Sequence, residues 1–341
     1  MHNEEESMLS LTFTEIMELI PTFHKARRVL HIQGKPGIAK SAAPYEYGRL
    51  INMPLQEVRP ARMNPVDVTG LPKIDDEDRT IWTRPEIVSE HPRIILVEEL
   101  AAAARLLQVS LYELIGDWRI GKYHIHPDSC IITTGNRPED ASHAEKMSAA
   151  LRNRFVAVTM KADFDSFNKW ALRSGIHPLV AGFLDSRRDL LSVFDGKKWD
   201  GKSAYPSPRS WHQLSDLMNA GLKNELLHAV ASGCVGFGAA TAFMGFVNSQ
   251  SVGVTIQEIL GDPDGALVPD DMGNAWAVAS NIALTLNAEN ASLFCRYLKR
   301  MHSEHMAFAM KSSMGRNKDL IKIPEFKQWA LANTKVFTGG R

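Results

Sequence analysis

The chain has little of the chemistry that staples, exports or strongly charges a protein. Its three cysteines, Cys130, Cys234 and Cys295, lie far apart among 341 residues and form no CxxC pair. That spacing argues against a disulfide framework and against a thiolate zinc site, and reads as buried thiols in a reducing compartment. The 39 basic and 39 acidic side chains cancel, so the whole-chain basic footprint of a nucleic-acid binder is missing and only a local basic groove stays open. There is no low-complexity tract and no repeat. Long apolar runs are absent as well. The most apolar stretch, Leu226 to Val247, is interrupted by His228, Ser232, Thr241 and several glycines, whereas a membrane span wants about 20 residues of stronger apolar bias. It is expected to form a packed helical pair. The opening residues, MHNEEESMLS, are acidic where an export signal would be basic and then apolar. A cytoplasmic protein without a membrane association is the expectation.

What remains is the composition of an ordinary globular protein, 44% hydrophobic and 23% charged, with a length that suggests about two domains. Up to about Thr159, apolar runs alternate with helical patterns: Val29 to Ile32, Ile94 to Val97, Cys130 to Thr133, and Val156 to Val158. This alternation predicts an α/β domain, a parallel sheet covered by helices on both faces, over residues 1–163. Asn64 to Glu90 carries loop chemistry: Pro65, Gly70, Pro72, the acidic run Asp75 to Asp78, and Pro85. A helical period follows from Val97 to Gly116, and Trp118 to Ile125 alternates like a hairpin. Beyond Phe164 the pattern is almost wholly helical, which predicts a second, all-α domain over residues 164–341, broken at Gly201 to Pro208, Ser249 to Val254 and Gly261 to Asp271.

After the first apolar run comes Gly34-Lys35-Pro36-Gly37-Ile38-Ala39-Lys40-Ser41. Small residues let backbone N–H groups close around phosphates, a lysine neutralises the outer ones, and a serine hydroxyl holds Mg²⁺. Gly34, Gly37, Lys40 and Ser41 fill those roles, and Ala39 departs from the glycine usual at its position. A plain Gly/Pro turn satisfies the same residues, so the surroundings decide. The second run ends in Glu98-Glu99, where carboxylates at a strand's end would hold Mg²⁺ through water and polarise an attacking water. They also suit the acidic first turn of a helix. The third ends in Gly135-Asn136, an amide placed to orient that water, or simply a turn. Together these residues read as a P-loop ATP site.

The order of motifs resembles the AAA+ ATPases, in particular the MoxR-type branch. The similarity covers roughly residues 20 to 245 and rests on Gly34 to Ser41, Ile94 to Leu100, Thr133 to Asn136, Ala150 to Phe155 and Ser207 to Trp211. Asn64 to Pro72 with Trp82 and Pro85, and the hairpin near Arg119 to His126, are similar to inserts of that branch. The resemblance implies an AAA+ P-loop αβα sandwich followed by a helical lid. Lys40 and Ser41 would meet phosphate and Mg²⁺, Glu98 the metal, Glu99 the water, and Asn136 would be sensor 1. Arg154, with Arg152 as the alternative, would be an arginine finger reaching a neighbouring subunit's γ-phosphate, and Arg209 would be sensor 2. It implies a hexameric ring with ATP between subunits, a motor or remodelling chaperone, and a partner with a von Willebrand factor A-type domain. The branch usually has aspartate where Glu98 stands; with Ala39, this makes a nucleotide-gated scaffold of little turnover the second expectation. A DNA motor is the third, disfavoured by the neutral charge.

Other residues attract no function. His124 and His126 share one face of a hairpin strand without a third ligand. Ser41, Ser207 and Ser210 have no GxSxG elbow, and the glycines of Gly233 to Gly245 follow a helical pattern, which suits close helix packing better than a dinucleotide loop. Trp170, Leu172, Ile176 and the methionines of Met301 to Met314 are expected in a core or an inter-subunit surface.

Overall fold

The computed structural model describes residues 9–140, 147–249 and 254–332. The acidic opening residues and most of the break expected at Ser249 to Val254 lie outside them. Two compact units divide the chain, one within Met1–Asp163 together with Phe194–Trp199, the other within Phe164–Val193 and Asp200–Arg341.

The first unit is built on a six-stranded sheet in which every neighbouring pair is parallel. Its strands are β1 (Ser10–Leu11), β2 (Leu30–Gln33), β3 (Leu55–Val58), β6 (Ile94–Val97), β9 (Cys130–Gly135) and β10 (Val156–Met160), in the order β1-β10-β2-β9-β6-β3. Two hairpins stand apart: β4 (Pro72–Ile74) with β5 (Thr80–Trp82), and β7 (Arg119–Ile120) with β8 (Tyr123–His124). All residues of β6 and β9 are buried, as expected of parallel strands covered on both faces. Side chains alternate between two cores: Leu30, Ile32, Ile94 and Ile132 pack with Ile16, Ile20 and Tyr47, while Ile95, Val97 and Ile131 pack with Leu107, Leu111 and Phe155. Helix α1 (Phe13–Ala26) belongs to the former core, and its first turn is closed by a capping box between Thr12 and Glu15.

Three details differ from the sequence reading. β1 and β3 join the sheet, although Gln56 and Glu57 give β3 no apolar run. The single helix expected from Val97 is broken by Glu99, whose φ of 52° is left-handed, and by the extended Ala103. A 3₁₀ turn at Leu100–Ala102, helix α3 (Arg105–Tyr112) and a π-helical turn at Glu113–Asp117 take its place. Glu98 and Glu99 therefore do not form the acidic first turn of a helix. Asn64 to Glu90 is more than loop: it holds a capped helical turn at Pro65–Thr69 and the β4–β5 hairpin, and buries Val68, Ile87 and Val88.

The second unit holds helices and their connections, with no strand among its described residues. Gly236, at φ 82°, separates helices Asn224–Val235 and Phe237–Ser249, the pair expected from the apolar stretch. No helix of the described residues is long and apolar enough to cross a membrane. Trp211 and Phe243 are fully buried and Phe183 nearly so. The Trp211 indole donates to the Leu190 carbonyl at 2.8 Å. Helices Pro178–Ser186 and Met272–Thr285 pack so closely that a Cβ on Gly182 would collide with Ser280 Oγ. Met301, Met310 and Ile176 sit in this core, whereas Trp170 is 40% exposed. The side chain of Leu172 lies outside the described part.

Candidate functional site

In the sheet order, β9 lies between β2 and β6, so the connection leaving β2 passes over β9 and β6 to reach β3. Ligands of open parallel sheets gather at such reversals, beyond the C-terminal strand ends. The registers put the sequence motifs there. Gln33 pairs with Gly135, which sets Gly34 beside Asn136, and Val97 pairs with Thr133, which brings Glu98 out at the level of Thr134.

The loop from Gly34 to Ser41 is shaped by sterics at three positions. A Cβ on Gly34 would stand 2.6 Å from the Met160 carbonyl oxygen, so only glycine fits. Gly37 has φ 78° and Ala39 has φ 72°. Such left-handed turns direct successive N–H groups into one concavity, and at Ala39 the methyl group makes this cost about 1–2 kcal/mol. Helix α2 (Ala42–Leu50) starts at Ser41, whose hydroxyl makes no capping bond and whose first turn has no acidic residue. Its positive end is thus left for another anion.

Lys40, half-buried, folds back over the loop. Its ammonium donates to the Gly34 carbonyl at 3.0 Å, the Lys35 carbonyl at 2.9 Å and Asn136 Oδ1 at 2.9 Å. The loop lysine and the amide after β9 are therefore joined. The donor set suits a polyphosphate with a divalent cation: a basic ammonium, a helix start without a carboxylate, an uncommitted serine hydroxyl and a carboxylate at the neighbouring strand end.

The carboxylates behave differently from each other. Glu99 is exposed. Glu98 is held at 3.1 Å by Arg59 Nε, and Arg59 also binds Glu57 at 2.8 Å. Burial pushes the Glu57 carboxyl up, but the hydrogen bond and positive charge of Arg59 outweigh it and leave it below its ordinary value. The sequence reading missed Arg59, Glu57 and Tyr45, since only the β3–β6 register, Val58 opposite Val97, sets Arg59 beside Glu98.

His31, also missed, is 1% exposed, with its ring against Gly135. Its Nδ1 meets Thr133 Oγ1 at 2.8 Å, and its ring lies 4.6 Å from that of Phe155. Burial, then the charges of Arg152 and Lys40, push its pKa down to about 4. A histidine inside an otherwise apolar strand was the available signal.

Arg152 and Arg154 are both exposed. Arg154 donates to the Ala150 carbonyl at 2.8 Å and stacks 5.2 Å from the centre of the Tyr112 ring, while Arg152 lies over Phe155. Neither is among the partners of Lys40 and Asn136 given above. Arg209 belongs to the second unit, exposed in the first turn of helix Pro208–Asn219.

Alternatives elsewhere are weak. No cluster of three or more potential metal ligands occurs among the described residues, His124 and His126 included. Burial raises the Cys130 thiol to about 12 and the Cys295 thiol to about 11, which removes both as nucleophiles. A recess of about 540 Å³ in the second unit is lined by Glu258, Asp262 and Leu267 without a basic side chain, which suits no phosphate.

No family model and no curated protein matches the chain. Among solved structures, it resembles NtrX from Brucella abortus in complex with ADP, at 14% identity over 96% of this chain and 68% of that one, with a TM-score of 0.41. It also resembles the RuvB Holliday junction branch migration motor of Thermotoga maritima, at 13% identity over 84% and 86%, with a TM-score of 0.39. Likeness of this degree carries no inference about activity.

Proposed function

We propose that the chain is an ATPase of the AAA+ kind, resembling the MoxR branch, that binds ATP at Gly34 to Ser41 and hydrolyses it. The observation that carries the reading is the Lys40 ammonium, set at the mouth of the loop and tied to Asn136 across two strands. The loop N–H groups and the start of α2 would hold the β- and γ-phosphates, with Lys40 leaving its carbonyl partners to neutralise them. Mg²⁺ would be held by Ser41 and Glu98 and would supply charge neutralisation of the phosphates. Glu99 would take the proton of the attacking water, and Asn136, once released by Lys40, would orient that water. Arg154 is the proposed finger, acting on a neighbouring copy's γ-phosphate in a hexameric ring, with Arg152 its alternative, and Arg209 is the proposed sensor of the helical lid. A motor or remodelling chaperone in the cytoplasm, partnered by a von Willebrand factor A-type domain, is the corresponding role.

Removal of Lys40 tests the site directly. Its charge-assisted contacts are worth about 1.5–3 kcal/mol, so Lys40→Ala should weaken ATP binding about 10- to 100-fold in a fluorescence titration. Unchanged affinity sinks the reading.

A second reading, a nucleotide-gated scaffold of little turnover, is favoured by the ion pair that engages Glu98 and by the methyl of Ala39 in a left-handed turn. Steady-state hydrolysis separates the two. A parent that binds ATP yet turns over as slowly as Glu99→Gln is a scaffold; a parent faster by about 100-fold or more, within the usual range of general-base catalysis, is an ATPase.

A further inference from the structure

Strand β3 ends in Glu57-Val58, Arg59 follows it directly, and the Glu98 amide continues the ladder by donating to the Val58 carbonyl at 2.8 Å. Arg59 is thereby opposite Glu98, and Glu57 shares its face of the strand. The guanidinium lies between two carboxyls, 2.8 Å from one and 3.1 Å from the other. The side chain of Glu98 is only 15% exposed, while that of Arg59 is 43% exposed. Tyr45, in the first turns of α2 after Ser41, reaches the same cluster through Glu57. The carboxylate best placed at the strand end for a cation is therefore already engaged by a charge of the same sign as that cation.

We propose that Arg59 is a positioning residue that latches Glu98: it competes with Mg²⁺ for the carboxylate, and arrival of the metal with nucleotide requires the guanidinium to withdraw to Glu57 alone. The latch rests on the ATP–Mg²⁺ reading of the loop. Arg59 is exposed enough to swing without disturbing the core, and Glu57 gives it a place to stay, so engagement and release exchange one carboxylate partner for another. Removing the guanidinium frees Glu98 and removes local repulsion of the cation.

The test is Mg²⁺-dependent binding of a fluorescent ATP analogue to the full chain. The Arg59–Glu98 pair, open to water on the arginine's side, is of the strength that sets the half-saturating Mg²⁺ concentration about two- to fivefold lower in Arg59→Ala. Arg59→Lys, which keeps a cation, should stay near the parent. Arg49→Ala, on α2 and paired with Glu46 instead, makes the same change of charge away from Glu98 and should leave the midpoint unmoved. An unchanged or raised midpoint in Arg59→Ala overturns the latch, as does an equal fall in Arg49→Ala. In either case nucleotide binding by the parent leaves the ATP reading standing. A parent that binds no nucleotide at any Mg²⁺ concentration overturns both together.

Discussion

Ala39 shows how one methyl group weighs on the site. At φ 72° alanine gives up about 1–2 kcal/mol that glycine does not, partly offset by glycine's looser unfolded chain, about 0.4–1 kcal/mol. Ala39→Gly should therefore hold stability or raise it by up to about 1.5 kcal/mol and tighten ATP binding, whereas Ala39→Val, β-branched in a left-handed turn, should weaken both. Calorimetry with an ATP titration reads the two effects. His31 makes a separate prediction. The unfolded chain protonates it near the ordinary histidine value of 6.5 and the folded chain only near 4. The unfolded state thus binds more protons between these values. The stability due to the neutral ring is complete above about pH 6.5 and is lost as pH falls toward 4, about 3 kcal/mol in all. Urea midpoints at pH 7.5 and 4.5 should converge in His31→Gln relative to the parent; an equal acid loss in both would acquit His31.

Among the elements, the π-helical turn Glu113–Asp117 is the one that positions an exposed candidate. Arg154 lies across Gly116, where an added Cβ would be 2.6 Å from Nε and 2.7 Å from Cδ. The obstructing atoms are the far part of a flexible side chain, so Gly116→Ala should keep the fold and expel Arg154 from its place on Tyr112. If Arg154 is the finger, hydrolysis should fall about tenfold or more with ATP affinity unchanged, against about a thousandfold for Arg154→Ala. The apolar strands β6 and β9 could be read from sequence because burial on both faces demands a continuous apolar run. β3 could not, since its middle residues are Gln56 and Glu57 and its identity comes from pairing with β6. The loop and the amide of Asn136 were legible as residues, but the Lys40–Asn136 contact joins positions 96 apart in sequence and depends on a register no local pattern encodes. The Arg59 ion pair was hidden for the same reason. Turn chemistry was misread at Glu99, whose left-handed backbone no propensity announces.

At the scale of the molecule, the proposed ring makes a claim no single chain can satisfy. Were Arg154 to serve a neighbour's loop, chains carrying Lys40→Ala and chains carrying Arg154→Ala would each be inactive alone, while their mixture would regain hydrolysis at interfaces pairing an intact loop with an intact arginine. A mixture as silent as its components would place Arg154 outside the reaction. The sheet order has a further consequence, one for synthesis. β2, which feeds the phosphate loop, is walled by β9 on one side and β10 on the other, and among the described residues β1 pairs only with β10. A nascent chain on the ribosome, growing at about 5–20 residues per second, completes its phosphate loop at Ser41 and then must wait until Cys130–Gly135 is made before the first wall exists. Ribosome-bound chains stalled before Cys130 should capture no nucleotide, and those with Met160 clear of the exit tunnel should begin to do so.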